Sequence, residues 1–238
     1  MADFAPALPH GDIQEVFPGV WSVTGTMQTV LMGAHWHFSR NMTIVRDGSA
    51  LTLINSVRLD EAGLRQLDAL GQVKNVLRIG ALHGQDDAFY QQRYGALHWT
   101  LPGMPPAENV RVDKLLAVDG EMPFAGASLF VFADVKLPEC IVRIDREGGI
   151  LVACDALQNW VAPDAFFSEA SRAMMTEMGF FQSANLGPVW MQVNEPKAPD
   201  FLRLREVPFR HALCGHGQPL RDTAREAFLA RFSQVFAI

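Results

Sequence analysis

Cysteine is scarce. Cys140, Cys154 and Cys214 are the only three in 238 residues. Each lies in an apolar run with no close Cys pairing, which excludes a disulfide scaffold and reads as reduced core thiols of a cytoplasmic protein. Charge is sparse as well: Asp, Glu, Lys and Arg make up 19% of the chain, beside 16 phenylalanines, the opposite of a disordered composition. Positive charge is not in excess. The net charge is −6, so a nucleic acid or an anionic membrane has no electrostatic attraction to offer. Long hydrophobic runs are missing too. The charge-free stretch 16–39 is broken by Pro18, Gly19, Gly25 and Gly33 and carries Gln28, His35 and His37, which does not suit a spanning helix. The opening Met1-Ala2-Asp3-Phe4-Ala5-Pro6 lacks the basic-then-apolar order of a leader. No repeat, low-complexity segment or long linker interrupts the chain, so 1–238 is expected to form one domain. At 49% hydrophobic residues it can bury a sizeable core.

What is present is a series of short apolar runs. Residues 20–23, 41–45 and 50–54 read as strands, the last two joined by a turn at Arg46-Asp47-Gly48. Asp60 opens a helix whose Leu64, Leu67 and Leu70 share a face and which Gly71 ends. Residues 76–79 read as a buried strand, 87–94 as a helix and 96–99 as a strand. Three further strands follow at 128–132, 140–144 and 149–154, the last two joined by a turn at 146–149. From about Pro163 a helix carries Phe166, Ala170, Met174 and Met178 four apart and stops at Gly179; its Phe and Met cluster reads as helix core. Arg203, Arg205 and Arg210 alternate with Leu and Phe as on a solvated strand face, and 209–213 is a late strand. The last helix runs from Arg221 with Phe228, Phe232 and Val235 on one side. Two halves, each strands then helix, predict an α/β sandwich of two sheets with helices outside.

Sites in such folds gather polar groups at the carboxyl ends of apolar strands. Three places qualify. Strand 76–79 runs into Gly80-Ala81-Leu82-His83-Gly84-Gln85-Asp86-Asp87, strand 150–154 ends in Asp155, and strand 209–214 ends in Gly215-His216-Gly217. In this order and at these separations they resemble the metallo-β-lactamase superfamily, in which one strand ends in T-H-x-H-x-D-H, a later one in Gly-Asp, and a last turn is Gly-His-Gly. The resemblance runs from about Val20 to Leu220. It is clearest in Asn41-Met42-Thr43-Ile44-Val45, in Leu151-Val152-Ala153-Cys154-Asp155-Ala156-Leu157 and in Gly215-His216-Gly217-Gln218-Pro219-Leu220. It implies a four-layer αββα sandwich of metallo-β-lactamase type.

Set on that motif, Gly80 takes the threonine place, Ala81 the first histidine, His83 the second, Gln85 the aspartate and Asp86 the last histidine. The histidine of the family's Pro-Gly-His-Thr turn falls on Lys136, while Asp155 matches the bridging aspartate and His216 the final histidine. The resemblance therefore implies one divalent ion rather than two, held by His83, Asp86, Asp155 and His216. Two histidines and two carboxylates suit Zn²⁺, Mn²⁺ or Fe²⁺. Asp86 or Asp87 would orient the attacking water or take its proton, in a hydrolase of an ester, thioester or similar small substrate. Lys136 supports a different reading. An ammonium repels a metal, and in the cation's place it would pair with Asp155 or Asp86, in a non-catalytic relative that binds a ligand or partner in the same cleft. Structural roles stand beside these: Asp86 and Asp87 suit a helix N-terminus, and His216 suits a tight turn. His35-Trp36-His37 alternate along a strand and are candidates for metal or substrate contact. Cys154 and Cys214 neighbour site residues, but adjacent strand residues face opposite ways, so their thiols are expected in the core.

Overall fold

The apolar alternation of the first half folds into a seven-stranded mixed sheet. Its strands are β1 (Gln14–Phe17), β2 (Val20–Leu31), β3 (Ala34–Asp47), β4 (Ala50–Ile54), β5 (Gln72–Arg78), β6 (Leu97–Thr100) and β7 (Lys114–Leu115), lying side by side in sequence order. The first four are antiparallel and the rest parallel. Helices α1 (Glu61–Leu70) and α2 (Asp87–Tyr94) supply the crossovers, as parallel pairs require. This computed structural model describes residues 4–238. Met1, Ala2 and Asp3, part of the stretch read for a leader, lie outside the described residues. Among those described, no helix is long and apolar enough to cross a membrane.

The second sheet takes its strands from β8 (Ala127–Val131), β9 (Cys140–Ile144), β10 (Ile150–Ala153) and β13 (His211–Cys214), in the order β13-β10-β9-β8. A two-stranded ribbon, β11 (Leu157–Gln158) with β12 (Asn185–Leu186), and helices α3 (Glu169–Glu177), α4 (Pro188–Asn194), α5 (Ala198–Glu206) and α6 (Ala224–Phe236) complete the chain. Period-two alternation decides the layers. In β9 and β10, Cys140, Val142, Ile144, Ile150 and Val152 turn toward Val45, Ile54 and Leu77 of the first sheet. Ile141, Leu151 and Ala153 turn the other way, onto Trp190, Phe201, Phe228 and Phe232 of α4, α5 and α6. On the far side, Ile44, Leu53 and Val76 pack on Leu64 and Leu67 of α1 and Phe89 and Tyr90 of α2. Each such side chain stabilises the fold by roughly 1.5–3 kcal/mol. The result is helix, sheet, sheet, helix.

Three local expectations change. The charge-free stretch becomes the long β2–β3 hairpin, paired from Val20↔Val45 to Leu31↔Ala34. Its two-residue turn, Met32-Gly33, has positive φ at both positions (53° and 76°), the geometry that follows strand twist. The Arg203–Arg205 stretch is helix α5, not strand. Pro199 fits a first turn, buried Phe201 and Leu204 are three apart, and Arg203 pairs with Asp200. Helix α3 starts at Glu169 rather than near Pro163, because Ser168 caps it by accepting from the Ser171 amide at 3.2 Å.

Candidate metal centre

Three strand ends converge on one spot. His83 lies in the loop leaving β5, Asp155 directly follows β10 and Cys154, and His216 follows β13. Because β10 and β13 are parallel neighbours, their carboxyl ends deliver Asp155 and His216 together. Asn41, midway along β3, fastens the last turn: its amide donates to the Gly215 carbonyl at 2.7 Å, and its Nδ2 donates to the Cys214 and Gly217 carbonyls at 3.0 and 2.5 Å. Gly217 has φ +86°, and a Cβ there would fall on the Asn159 backbone. Gly217→Ala is therefore expected to cost about 3 kcal/mol from strain and overpacking, read as a lower unfolding midpoint in urea. An unchanged midpoint would mean that the turn is not held in this form.

The donor atoms form a triangle. His83 Nε2 to His216 Nε2 is 3.1 Å, His216 Nε2 to Asp155 Oδ1 is 3.1 Å, and His83 Nε2 to Asp155 Oδ2 is 3.5 Å. Ligands about 2.0–2.1 Å from one tetrahedral ion stand about 3.3 Å apart, and the two imidazole nitrogens and the carboxylate, which meets His216 through Oδ1 and His83 through Oδ2, are spaced near that value. Aromatic rings fix His216, with Trp160 centred 4.6 Å and Phe38 5.7 Å away.

Hydrogen counting shows what this triangle lacks. His216 Nδ1 is 3.1 Å from the Ser39 carbonyl, which only accepts, so Nδ1 carries the proton and a neutral His216 presents a lone pair at Nε2. Burial lowers the His83 pKa to about 4, keeping that ring neutral at pH 7. Burial alone would raise the Asp155 carboxyl, but His83 and the His216 hydrogen bond overcome it and bring it down to about 2. One proton on His83 Nε2 serves a single edge, and the His216–Asp155 edge then sets a lone pair against a carboxylate. Protonating His216 repairs that edge, and buried His83 Nδ1 has no hydrogen-bond partner in either form. A cation inside the triangle would replace the lone-pair contacts along its edges, with the His83 proton then on Nδ1, which has no hydrogen-bond partner.

Cys154 is the other donor within reach. His83, Cys154 and Asp155 each place one ligand atom within 4.8 Å of the others, a buried group that could hold a metal ion. The Cys154 thiol donates to Asp155 Oδ2 at 3.4 Å. Burial first, and then the Asp155 charge, push its pKa well above the ordinary thiol value. A thiolate is the form that binds metal, so Cys154 would give up this proton on binding, whereas His216 places its Nε2 beside the same two residues. All three cysteines are free and buried.

The remaining sequence candidates lie elsewhere. Asp86 turns onto Arg40 and accepts from the Arg58 amide at 2.6 Å. Asp87 is fully buried, bonded to Ser56 Oγ at 2.5 Å and His98 Nε2 at 2.9 Å. Neither approaches His83, Asp155 or His216 within ion-pair distance among the described residues, so the expected fourth ligand and water-orienting base are not at the triangle. Lys136 does not occupy a cation's place: it is exposed and pairs with Glu195 at 2.7 Å. His35 and His37 line an outer hollow, whereas Trp36 and Phe38 turn inward; strand alternation selects one pair or the other. Sequence reasoning missed Glu139. Its Oε1 accepts from the Ala156 amide at 2.6 Å, and burial and then Asp155 push its carboxyl well above the ordinary value.

Over the triangle opens a cleft of about 140 Å³. Met27, Leu31, Trp36 and Phe38 of the hairpin form one wall; Trp160, Met175, Phe180 and Val189 form the other. Met175 thus faces the cleft rather than serving only as helix core. Beside the site residues, the polar lining is Thr29, Gln85 and Gln158, with no Lys or Arg.

No protein-family model matches this chain, and no curated protein matches it in sequence. Solved structures do match. A metallo-β-lactamase from Hirschia baltica aligns with a TM-score of 0.57 over 96% of this chain and 98% of that one, at 13% identity. One from Erythrobacter litoralis gives 0.54 over 96% of each chain at 15% identity. The metallo-β-lactamase FIM-1 from Pseudomonas aeruginosa, in its mono-zinc form, gives 0.57 over 97% of each chain at 13% identity. Over nearly its whole length the chain has the metallo-β-lactamase fold.

Proposed function

We propose that this metallo-β-lactamase-fold protein is a hydrolase with a single-ion site, in which His83, Asp155 and His216 hold one divalent cation beneath an apolar cleft. The cluster of donors carries this reading: two imidazoles and one carboxylate within 3.5 Å of one another. A bound divalent ion supplies a Lewis acid that polarises a substrate carbonyl and strengthens water as a nucleophile. The chain's own residues do the rest. Ser39 fixes the His216 tautomer through its carbonyl, as second-layer partners of metal histidines do. Trp36, Phe38 and Trp160 exclude bulk water and receive an apolar group next to the reacting carbonyl. The Gln85 and Gln158 amides offer neutral hydrogen bonds to it. An ester or thioester with an apolar acyl group fits this lining.

The test is elemental analysis of untagged protein purified without chelator, followed by hydrolysis of p-nitrophenyl butyrate and an acyl thioester. About one equivalent of zinc, manganese or iron per chain is expected, with turnover that chelator abolishes. Protein that stays metal-free in excess Zn²⁺ or Mn²⁺ would overturn the reading. The His216–Asp155 pair would then be an imidazolium–carboxylate contact in a ligand-binding cleft.

A further inference from the structure

A second cavity adjoins the first. Phe4, Pro6, Leu8 and Val57 give it apolar walls, and Arg40, Arg58 and Asp86 give it charge. Gln85 lines both cavities. Two guanidiniums face one carboxylate, a balance of +2 − 1 = +1 among the charged residues lining it.

The guanidiniums are short of acceptors. The Arg40 side chain is 4% exposed, and only its Nη2 is satisfied, by Asp86. Its Nε and Nη1 are buried without a partner. Buried donors of a charged group are costly to leave unpaired. The Arg58 guanidinium donates to no side-chain acceptor among the described residues. Its guanidinium lies over the Phe89 ring at 3.8 Å and within 5.5 Å of Phe4, and its Nε is also buried and unpartnered. Asp86 Oδ2 accepts from Arg40 Nη2 and from the Arg58 backbone amide, and among the described residues no hydrogen bond joins the Arg58 guanidinium to Asp86.

Such a pair of forks matches a planar two-oxygen anion, which guanidinium binds in bidentate fashion. The apolar walls match a short hydrocarbon attached to it. We propose that this cavity binds a carboxylate monoanion bearing a short apolar chain. The site stands apart from the metal triangle and does not depend on it. Where the hydrolase reading holds, the cavity selects substrates or products that carry a carboxylate near the scissile carbonyl, because the cleft itself has no cationic side chain.

The probe is sodium hexanoate, titrated calorimetrically into chelator-treated protein, with hexanamide as the neutral isostere and inorganic phosphate as a second anion. Saturable binding of one hexanoate is expected, with hexanamide at least about tenfold weaker, the loss of one charge-assisted contact. Arg58→Met and Arg40→Met are each expected to weaken hexanoate by at least about tenfold. Since Arg40 is buried and its replacement can unfold the chain, Arg58→Met, checked by thermal melting, decides. Equal affinity for hexanamide, no loss in folded Arg58→Met, or binding that disappears when metal is removed would each overturn the proposal. Phosphate binding as tight as hexanoate would overturn its carboxylate selectivity.

Discussion

His216→Ala is expected to lose the bound ion, whereas Cys154→Ala is expected to keep it. The two variants separate the two donor sets that the strand ends allow. Replacing even an outer partner of a ligating histidine costs roughly 10–100-fold in metal affinity, so removing a ligand imidazole from a three-donor site should cost more than that. His216 Nε2 is 3.1 Å from both His83 and Asp155, and among the described residues Cys154 is the alternative third donor. Cys154 is held protonated by burial and by Asp155, and it packs among Leu77, Ile79 and Val152. Its truncation should lower stability by about 1–2 kcal/mol while metal content stays near that of the wild type. The measurement is metal content after dialysis against a graded chelator, paired with the melting temperature with and without zinc. Retention by His216→Ala together with loss by Cys154→Ala would move the ion to the His83, Cys154 and Asp155 group.

Asp87→Ala should be the most destabilising single change near the site, by about 3–5 kcal/mol, the usual cost of removing one partner of a buried charged pair. Asp87 is fully buried, with Ser56 Oγ at 2.5 Å and His98 Nε2 at 2.9 Å, and the Arg78 charge acts on it. Arg78 in turn donates to the Ala81 and Pro105 carbonyls at 2.6 and 2.7 Å, so the network holds the base of the loop that carries His83. Burial raises the Asp87 carboxyl. The His98 and Ser56 hydrogen bonds and the Arg78 charge outweigh it and hold the carboxyl below the ordinary aspartate value. The folded chain therefore binds this proton less readily than the unfolded chain. The contribution is fully present above the unfolded value and is lost as pH falls through the lower, folded one. Wild type should lose stability steeply below about pH 4, and Asp87→Ala should show a shallower slope there. Urea midpoints across pH 2.5–7, on the order of six conditions, measure both effects. Equal acid slopes in the two proteins would exclude Asp87 as the titrating group.

How the site reads from sequence depends on which distance is local. Asp155 and His216 each follow a buried strand directly, and a polar residue at a strand's carboxyl end in this fold class faces a site. His83 follows the same rule one loop further on. Asp86 and Asp87 sit just as close in sequence, yet α2 begins there, and the chain's turn into that helix swings them onto Arg40 and onto His98. Lys136 shows the same limit, since its partner is Glu195, 59 residues away in sequence and brought near only by the fold. Ser39, Arg40 and Asn41 were not legible as site residues at all. A polar run inside an otherwise apolar strand is the signal that marks them.

The alternating apolar runs by themselves determined the layered α/β architecture, since a period of two forces each strand to bury both faces or one. The order of strand ends bearing His83, Asp155 and His216 carried the resemblance that the solved structures share. Tertiary structure alone decided which polar groups meet. Ser39 reaches His216, 177 residues away, because the β2–β3 hairpin pairs in one register and crosses the end of the second sheet. Arg40 reaches Asp86 across 46 residues for the same reason. Periodicity is a property of neighbours along the chain, whereas hydrogen-bond partners are set by the register and packing of whole sheets.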